Sequence, residues 1–404
     1  MTDVPRHGPE KPRPGARRWL LLAGAVIVLA GIVIPRIAYD RGSPGTPPPS
    51  PGITSPAPGP ALAGAPADAP LGFRLLVAGP PRLLAVTAGG AVAELTLPGL
   101  ESSQVVRELV RVEEGTAIVA DPVDPGPGRL YFLHDGAAQP APLGLADSVV
   151  ATSQPGRVYT VTRNHGTAEL AEIDLHGRKH WSRRLPRTVQ VVRGVAGGLL
   201  ISYDQDPNVL GQEMQVIDPH SGRVLRRLGS IGQVVTASAQ HLVTTCNPRQ
   251  ISSDPHCSLS IFDLRSGARR DYALPEERRG PGPGILSPDG RLLALSSPGL
   301  FPAQLPDPVG TLEQLRSGVV HVLDLPTGAW TQVPGVMTSP TDAPLMTWSP
   351  SGAWLALGVY WPHHKRLAYW QVGAARLRLQ RERLPGGWEQ GVLPSGLGLV
   401  ALPG

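Results

Sequence analysis

The sequence predicts an all-β fold: a β-propeller of seven four-stranded blades, the last shared between the two ends of the chain. A single transmembrane α-helix and a disordered Pro-rich linker precede it. Three observations predict this fold. Similar segments recur about every 43 residues, two turn motifs recur within the repeated units, and 48 Gly with 46 Pro suit many short strands better than long helices.

The repeated units open alike. Segments 104–107, 190–193 and 233–236 read QVVR, QVVR and QVVT, and Ser148-Val149-Val150 is a weaker fourth copy. A period of 40 to 50 residues is typical of propellers and solenoids. The period therefore predicts a chain of structurally similar units.

A hairpin motif follows later in four of the units. Alternating apolar residues lead to an Asp and then to a Gly that can adopt positive φ, and a second alternating run follows. The motif occurs four times, at EIDLHGRKHW from Glu172, VIDPHSGRVL from Val216, IFDLRSGARR from Ile261 and HVLDLPTGAW from His321. We expect the aspartates to accept hydrogen bonds from the hairpin backbone; they are Asp174, Asp218, Asp263 and Asp324.

A second turn, with Pro at the corner and Gly at its close, recurs earlier in the units. Its copies are SQPGRVYTVT from Ser153, LSPDGRLLALSS from Leu286, WSPSGAWLALGV from Trp348 and LPSGLGLVAL from Leu393. Each unit therefore has about four strands, as a propeller blade does. Six units begin near residues 104, 148, 190, 233, 283 and 344.

The strand-rich ends, 72–99 and 388–404, are each too short for a blade. A seventh blade shared between them would close the ring and remove a free sheet edge. Rings of six or eight blades remain open, and a pair of β-sandwiches is the alternative fold.

The SPDGRLLAL segment at 287–295 and its relative at 349–357 resemble the repeats of TolB-like and WD-repeat-like bacterial propellers. The resemblance implies an architecture more than an activity. The Gly-His and Trp-Asp pairs of true WD repeats are absent. With only three Lys among 37 basic residues and abundant Ala, Gly and Pro, the composition indicates a high-GC, actinobacterial source.

The N-terminal region predicts a membrane anchor. Residues 1–18 form a basic tail, and Trp19–Tyr39 begins with a long uncharged apolar run, WLLLAGAVIVLAGIVIP. Because cations concentrate before this run, the tail is predicted to be cytoplasmic and the rest extracytoplasmic. A cleaved signal peptide and a twin-arginine signal at Arg17-Arg18 are the alternatives.

Residues 40–70 follow as a linker rich in Pro, Gly and Ala, which cannot bury enough apolar surface to fold. Residues 71–404 form the predicted extracytoplasmic propeller. This part has 30 Lys plus Arg against 28 Asp plus Glu, so a nucleic-acid partner is not expected.

The candidate site residues are few. Cys246 and Cys257 are the only cysteines, and outside the cytoplasm they predict a structural disulfide. No catalytic, cofactor-binding or metal-binding residues are predicted. Arginine pairs after the hairpin turns, such as Arg226-Arg227, predict charged outer strands that protect a sheet edge, or else a rim that binds an anionic polymer.

These features predict a membrane-tethered, extracytoplasmic binding or sensing module at the cell envelope, with an envelope protein or cell-wall ligand as its partner and no catalysis. The long insertion at 299–317 is a candidate part of the binding face. An enzyme of the lyase, lactonase or hydrolase type, with its site in the central channel, is the alternative. A signalling receptor is a third class, weakened by the short cytoplasmic tail.

Overall fold

The computed structural model describes residues 71–79, 82–87, 91–99, 105–121, 126–164, 167–186, 188–203, 212–245, 258–275, 283–297, 319–334, 345–361, 364–380 and 399–403. These residues form seven separate four-stranded antiparallel sheets. The predicted blade count is therefore confirmed.

The first three strands along the chain belong to the blade that closes the ring, blade 7. They are β1 (Phe73–Gly79), β2 (Arg82–Val86) and β3 (Val92–Leu95).

Blades 1 to 3 are each built from consecutive strands. Blade 1 comprises β4 (Val106–Val112), β5 (Gly115–Ala120), β6 (Gly128–His134) and β7 (Ala141–Ala146). Blade 2 comprises β8 (Ser148–Ala151), β9 (Arg157–Asn164), β10 (Thr167–Asp174) and β11 (Lys179–Pro186). Blade 3 comprises β12 (Val189–Val195), β13 (Gly198–Tyr203), β14 (Gln212–Ile217) and β15 (Val224–Ile231).

Blades 4 to 6 repeat the same plan. Blade 4 comprises β16 (Gln233–Ala237), β17 (His241–Thr245), β18 (Ser258–Asp263) and β19 (Arg269–Ala273). Blade 5 comprises β20 (Gly284–Leu286), β21 (Leu292–Ser297), β22 (Val319–Asp324) and β23 (Ala329–Gln332). Blade 6 comprises β24 (Met346–Trp348), β25 (Trp354–Trp361), β26 (His364–Gln371) and β27 (Arg378–Leu379).

The last strand, β28 (Leu399–Pro403), pairs with β1 and supplies the first strand of blade 7. The register runs from Phe73 opposite Pro403 to Val77 opposite Leu399. The predicted sharing of one blade between the two chain ends is confirmed. Because these backbone hydrogen bonds join the ends of the chain, the sheet that completes the ring needs both of them.

The first strands of the blades line the centre of the ring. β4 contacts β8 and β28, β8 contacts β12, β20 contacts β16 and β24, and β24 contacts β28. Between blades 3 and 4 the link is a core cluster that includes Leu200 and Leu242. The described strands thus form a closed circle.

The apolar core lies between neighbouring sheets rather than at the centre. Leu76 of blade 7 packs in one cluster with Ile118 of blade 1, and Leu170 of blade 2 packs with Leu199 of blade 3. Middle strands have neighbours on both faces, so every residue of β5 (GTAIVA) is buried, whereas β11 is largely exposed. This explains the uninterrupted apolar runs of the middle strands.

The repeated sequence openings do mark the first strands. A β-bulge falls at the second valine of the opening in two blades, at Val192 and Val235, and one residue later, at Arg107, in blade 1. The copies beginning at 190 and 233 thus share one register, and the copy beginning at 104 is shifted from it.

The predicted tail, transmembrane helix and linker, residues 1–70, lie outside the described residues. Within the described ranges, no helix has the length and hydropathy needed to cross a membrane.

Candidate functional site

The two faces of the propeller carry different connections. We call turn face the one where the first strand of each blade meets the second and the third meets the fourth. We call loop face the opposite one, where the second strand leads to the third and where one blade leads to the next. On the turn face no connection exceeds six residues, as in 218–223.

Aspartates hold the turns on the turn face. The Oδ1 atom of Asp174 accepts hydrogen bonds from the amides of His176 and Arg178, at 3.0 and 2.9 Å. The equivalent bonds to Asp218, Asp263 and Asp324 come from His220 and Ser221, from Arg265 and Ser266, and from Thr327. The predicted role of the four aspartates is confirmed.

These hydrogen bonds favour the ionised carboxylates. Backbone amides lower the pKa of Asp174, Asp218 and Asp263 below the ordinary value of an aspartate. Such carboxylates are poor proton donors at neutral pH. We therefore assign them a structural role in the turns. The turn face is therefore built from short, internally bonded turns.

The loop face receives the long connections of the chain. β17 and β18 are joined by residues 246–257, β21 and β22 by 298–318, and β27 and β28 by 380–398. Cys246, Cys257 and the insertion at 299–317 fall in these connections and lie outside the described residues. The flanking pair Thr245 and Leu259 is in register, so the segment with both cysteines starts and ends on adjacent strands.

A cluster of charged residues lies where β4 and β8 meet the loop face. Arg107 Nη1 forms an ion pair of 2.9 Å with Asp121, at the end of β5. Glu108 Oε2 accepts a hydrogen bond of 3.1 Å from the backbone amide of Val149, on the first strand of blade 2. Asp147, just before β8, accepts a hydrogen bond from the amide of Arg163.

The environment of Glu108 changes the pKa of its carboxyl. Burial raises the pKa of its carboxyl, and the amide of Val149 and the cations Arg107 and Arg163 only partly offset this effect. A carboxyl of this kind can hold a proton nearer to neutral pH than an exposed glutamate can, as general acids do. Its hydrogen bond with Val149 also joins blades 1 and 2. This structural role alone is enough to explain a glutamate at this position.

A fully buried carboxylate lies on the face of blade 2 that packs against blade 3. Glu172, 2% exposed, accepts hydrogen bonds from Arg157 at 3.0 Å and from Trp181 Nε1 at 2.8 Å. Burial, followed by the charge of Glu172, raises the pKa of Tyr159 to about 12. Because both partners of Glu172 come from its own blade, this group of residues stabilises blade 2.

Four arginines have at least one buried side-chain nitrogen without a hydrogen bond to the described part of the chain. They are Arg74 on β1, Arg107 on β4, Arg183 on β11 and Arg193 on β12. Burial lowers the pKa of the Arg193 guanidinium. Among the described residues, no group of three or more His, Cys, Asp or Glu side chains is placed to hold a metal ion.

The arginine pairs do lie on fourth strands, at the outer edge of the ring, as predicted. One member of a pair, however, can bind the next blade. Arg226 donates to the carbonyls of Leu264 and Arg265, in the turn of blade 4, at 2.8 and 2.6 Å. Tyr272 makes the equivalent bond to Leu325 of blade 5 at 2.7 Å.

Arg183 reaches the next blade by packing instead of by hydrogen bonds. Its guanidinium, on β11, lies against Gly222 in the turn of blade 3, so closely that a Cβ atom there would overlap it. The φ of Gly222 is also positive, at 69°. Arg183, Arg226 and Tyr272 therefore act as links from an outer strand to the next blade.

The sequence alone missed Glu108 and these links. The sequence did contain a signal for the links. Arg183 and Arg226 follow the turn aspartates Asp174 and Asp218 at similar distances in two consecutive units. Glu108 had no such signal, since its neighbour Val149 is distant in sequence and only the folded ring brings them together.

No protein-family model matches the chain, and a search of curated proteins finds no match. Solved structures do match, in 532 chains. An oligogalacturonate lyase in complex with manganese has a TM-score of 0.52 and 12% identity, over 77% of this chain and 86% of the lyase.

TolB from Acinetobacter baumannii gives a TM-score of 0.46 with 13% identity, over 80% of this chain and 79% of TolB. Apo AztD from Citrobacter koseri gives 0.49 with 12% identity, over 82% and 97% of the two chains. At these identities the likeness concerns architecture alone. The chain is similar to these solved structures in fold, and the comparisons establish no specific function.

Proposed function

We propose that this protein is a membrane-tethered, extracytoplasmic propeller that binds a protein or ligand of the cell envelope through its loop face. The observation that carries the proposal is the difference between the two faces. Connections on the turn face are short and hydrogen-bonded within themselves, whereas the long connections 246–257, 298–318 and 380–398 all join strands at the loop face. Long loops on a rigid scaffold commonly contain the residues that bind a ligand or partner.

The entry point of the chain supports this arrangement. Phe73 begins β1 on the turn face, opposite Pro403, where β28 ends. A membrane anchor at Trp19–Tyr39, followed by the linker 40–70, would therefore connect to the propeller at the turn face.

The test has two parts. First, added protease should degrade the propeller of the full-length chain in intact cells, because the proposal places it outside the membrane. Protection of residues 71–404 in intact cells but not in lysed cells would refute the location.

Second, the full-length chain should capture a reproducible partner from cross-linked envelopes. A variant with residues 299–317 replaced by Gly-Gly-Ser should lose that partner. The matched control, Glu113→Ser with Glu114→Ser, changes two exposed residues of a turn on the opposite face and should retain it. Equal capture by the loop variant and the wild type would refute a role for this part of the loop face.

The alternative function is a propeller enzyme with its site in the channel. The observation that favours it is Glu108, a half-buried carboxyl with a raised pKa on a first strand. The similarity to a lyase that was solved with manganese suggests the assay. Stoichiometric manganese bound by the purified full-length chain, and lost in Glu108→Gln, would support the enzyme and argue against the binding module.

A further inference from the structure

The outer edge of the ring carries a concentration of positive charge on three consecutive blades. The strands β11, β15 and β19 contain seven cations and a single acid, Asp271. We call these cations the cationic wall; they are Lys179, Arg183, Arg184, Arg226, Arg227, Arg269 and Arg270. The wall is unexpected in a propeller that is nearly neutral as a whole.

Protection of a sheet edge does not account for this distribution. Each of the seven sheets has an outer strand with one unpaired edge. The other outer strands use different means: β3 (VAEL) has Glu94, β7 (APLGLA) has Pro142, and β23 (AWTQ) is only four residues long. Edge protection therefore does not require cations, and it leaves their concentration on three consecutive blades unexplained.

Contacts within the protein use only part of the wall. Arg183 and Arg226 are engaged with the next blade, Lys179 pairs with Glu169 at 2.8 Å, and Arg269 pairs with Asp271 at 2.8 Å. These four side chains are accounted for by folding.

The other three cations point to solvent. Arg227 is 70% exposed, and Glu213, 3.5 Å away, is a weak surface partner for it. Arg184 and Arg270 are also exposed. Glu169 lies opposite Arg184 on β10, but its ion pair is with Lys179. Next to Arg226, Leu225 is 42% exposed, which is unusual among the large apolar side chains described.

We propose that the cationic wall binds a linear polyanion, a polymer with repeating phosphate or carboxylate groups that lies across the outer strands of blades 2, 3 and 4. Three exposed guanidinium groups on consecutive blades suit a ligand that repeats its charge along its length. The wall runs around the side of the ring, so this surface is distinct from the loop face and leaves that face free. The proposal goes beyond the proposed function and does not require it.

The test measures binding of fluorescent inorganic polyphosphate to the full-length protein in neutral detergent, over a series of salt concentrations. The variant is Arg184→Gln/Arg227→Gln/Arg270→Gln. The matched control, Arg163→Gln/Arg291→Gln/Arg376→Gln, removes the same charge at exposed positions away from the wall. Melting temperatures check that both variants remain folded.

The wild type should bind polyphosphate, with an affinity that falls as salt rises. The wall variant should bind at least about tenfold more weakly at low salt. Its plot of log affinity against log salt concentration should have a slope shallower by about two, because each of the three contacts that it lacks would have released a fraction of one counterion. The control should resemble the wild type. Poly-L-glutamate should compete for the same sites, whereas neutral dextran should not.

Three results would overturn the proposal: no binding of polyphosphate by the wild type, an equal loss in both variants, or wall-dependent binding to vesicles with anionic lipid but not to soluble polyanions. The last result would assign the wall to a membrane surface instead. None of these results bears on the capture experiment at the loop face, so the two proposals can fail separately.

Discussion

The closure of the ring by β1 and β28 can be tested through one pair of opposed residues, Leu76 and Val400. They face each other across the two strands and belong to the same core cluster, with exposures of 0% and 6%. Leu76→Ala should destabilise the protein by about 3 kcal/mol, since it leaves a cavity between blades 7 and 1. Val400→Ala removes fewer atoms and should cost about 2 kcal/mol.

The coupling between the two changes is the decisive quantity. Residues in contact show non-additive effects, and a cross-strand pair of this kind should give a coupling of about 0.5 to 1 kcal/mol. The double variant should therefore lose less stability than the two single variants together. For a domain of this size each kcal/mol lowers the melting temperature by about 2 °C.

Urea denaturation of the full-length chain, followed by tryptophan fluorescence, measures all four free energies of unfolding. Leu145→Ala is the control, because Leu145 is 59% exposed and its truncation should change stability by at most about 0.5 kcal/mol. Exact additivity of Leu76→Ala and Val400→Ala would mean that the chain ends do not touch, and closure by a shared blade would be refuted.

The remaining predictions concern single contacts. Arg226→Met should lower the free energy of unfolding by about 1 to 2 kcal/mol, because two hydrogen bonds to the turn of blade 4 disappear from a half-buried position. Arg227→Met should change it by at most about 0.5 kcal/mol in the same urea assay. Equal effects of the two changes would contradict the link. Glu108 has a raised pKa when folded, so its protonated form is favoured by folding, and that contribution to stability is lost as pH rises through the folded pKa. Glu108→Gln should therefore gain stability relative to the wild type as pH rises from about 4 to 7, and a difference that does not vary with pH would argue against this. Cys246→Ser should cost about 2 to 3 kcal/mol if Cys246 and Cys257 form the predicted disulfide; free thiols in the unreduced protein, detected by alkylation and mass spectrometry, would exclude it.

The turn motifs show how far local sequence can predict structure. Asp174, Asp218, Asp263 and Asp324 each act on amides two to four residues away, so their bonds depend on a short stretch of chain. The same is true of Ser287 and Ser349, whose hydroxyls accept hydrogen bonds from the amides of Leu292 and Trp354. Repetition of these local signals predicted the order and the number of strands.

The outer strands mark the limit of such reasoning. Arg226 and Arg227 are identical in type and adjacent in sequence, and yet one bonds to the next blade while the other is exposed to solvent. Successive residues of a strand point to opposite faces, and the bulges in the pairing of β14 with β15 decide which face each receives. Charge alone could not separate a structural arginine from one that is available for binding.

By itself, the sequence determined the repeat, the four-strand plan of each blade and the closure by both chain ends, because these follow from turn chemistry and apolar patterning, which act over short distances. The tertiary structure alone decided which charges meet between blades, which face receives the long connections and where the exposed arginines gather. Those features depend on contacts between residues about 40 or more positions apart, such as Glu108 with Val149 and Arg226 with Leu264, and such contacts form only when the ring brings neighbouring sheets together.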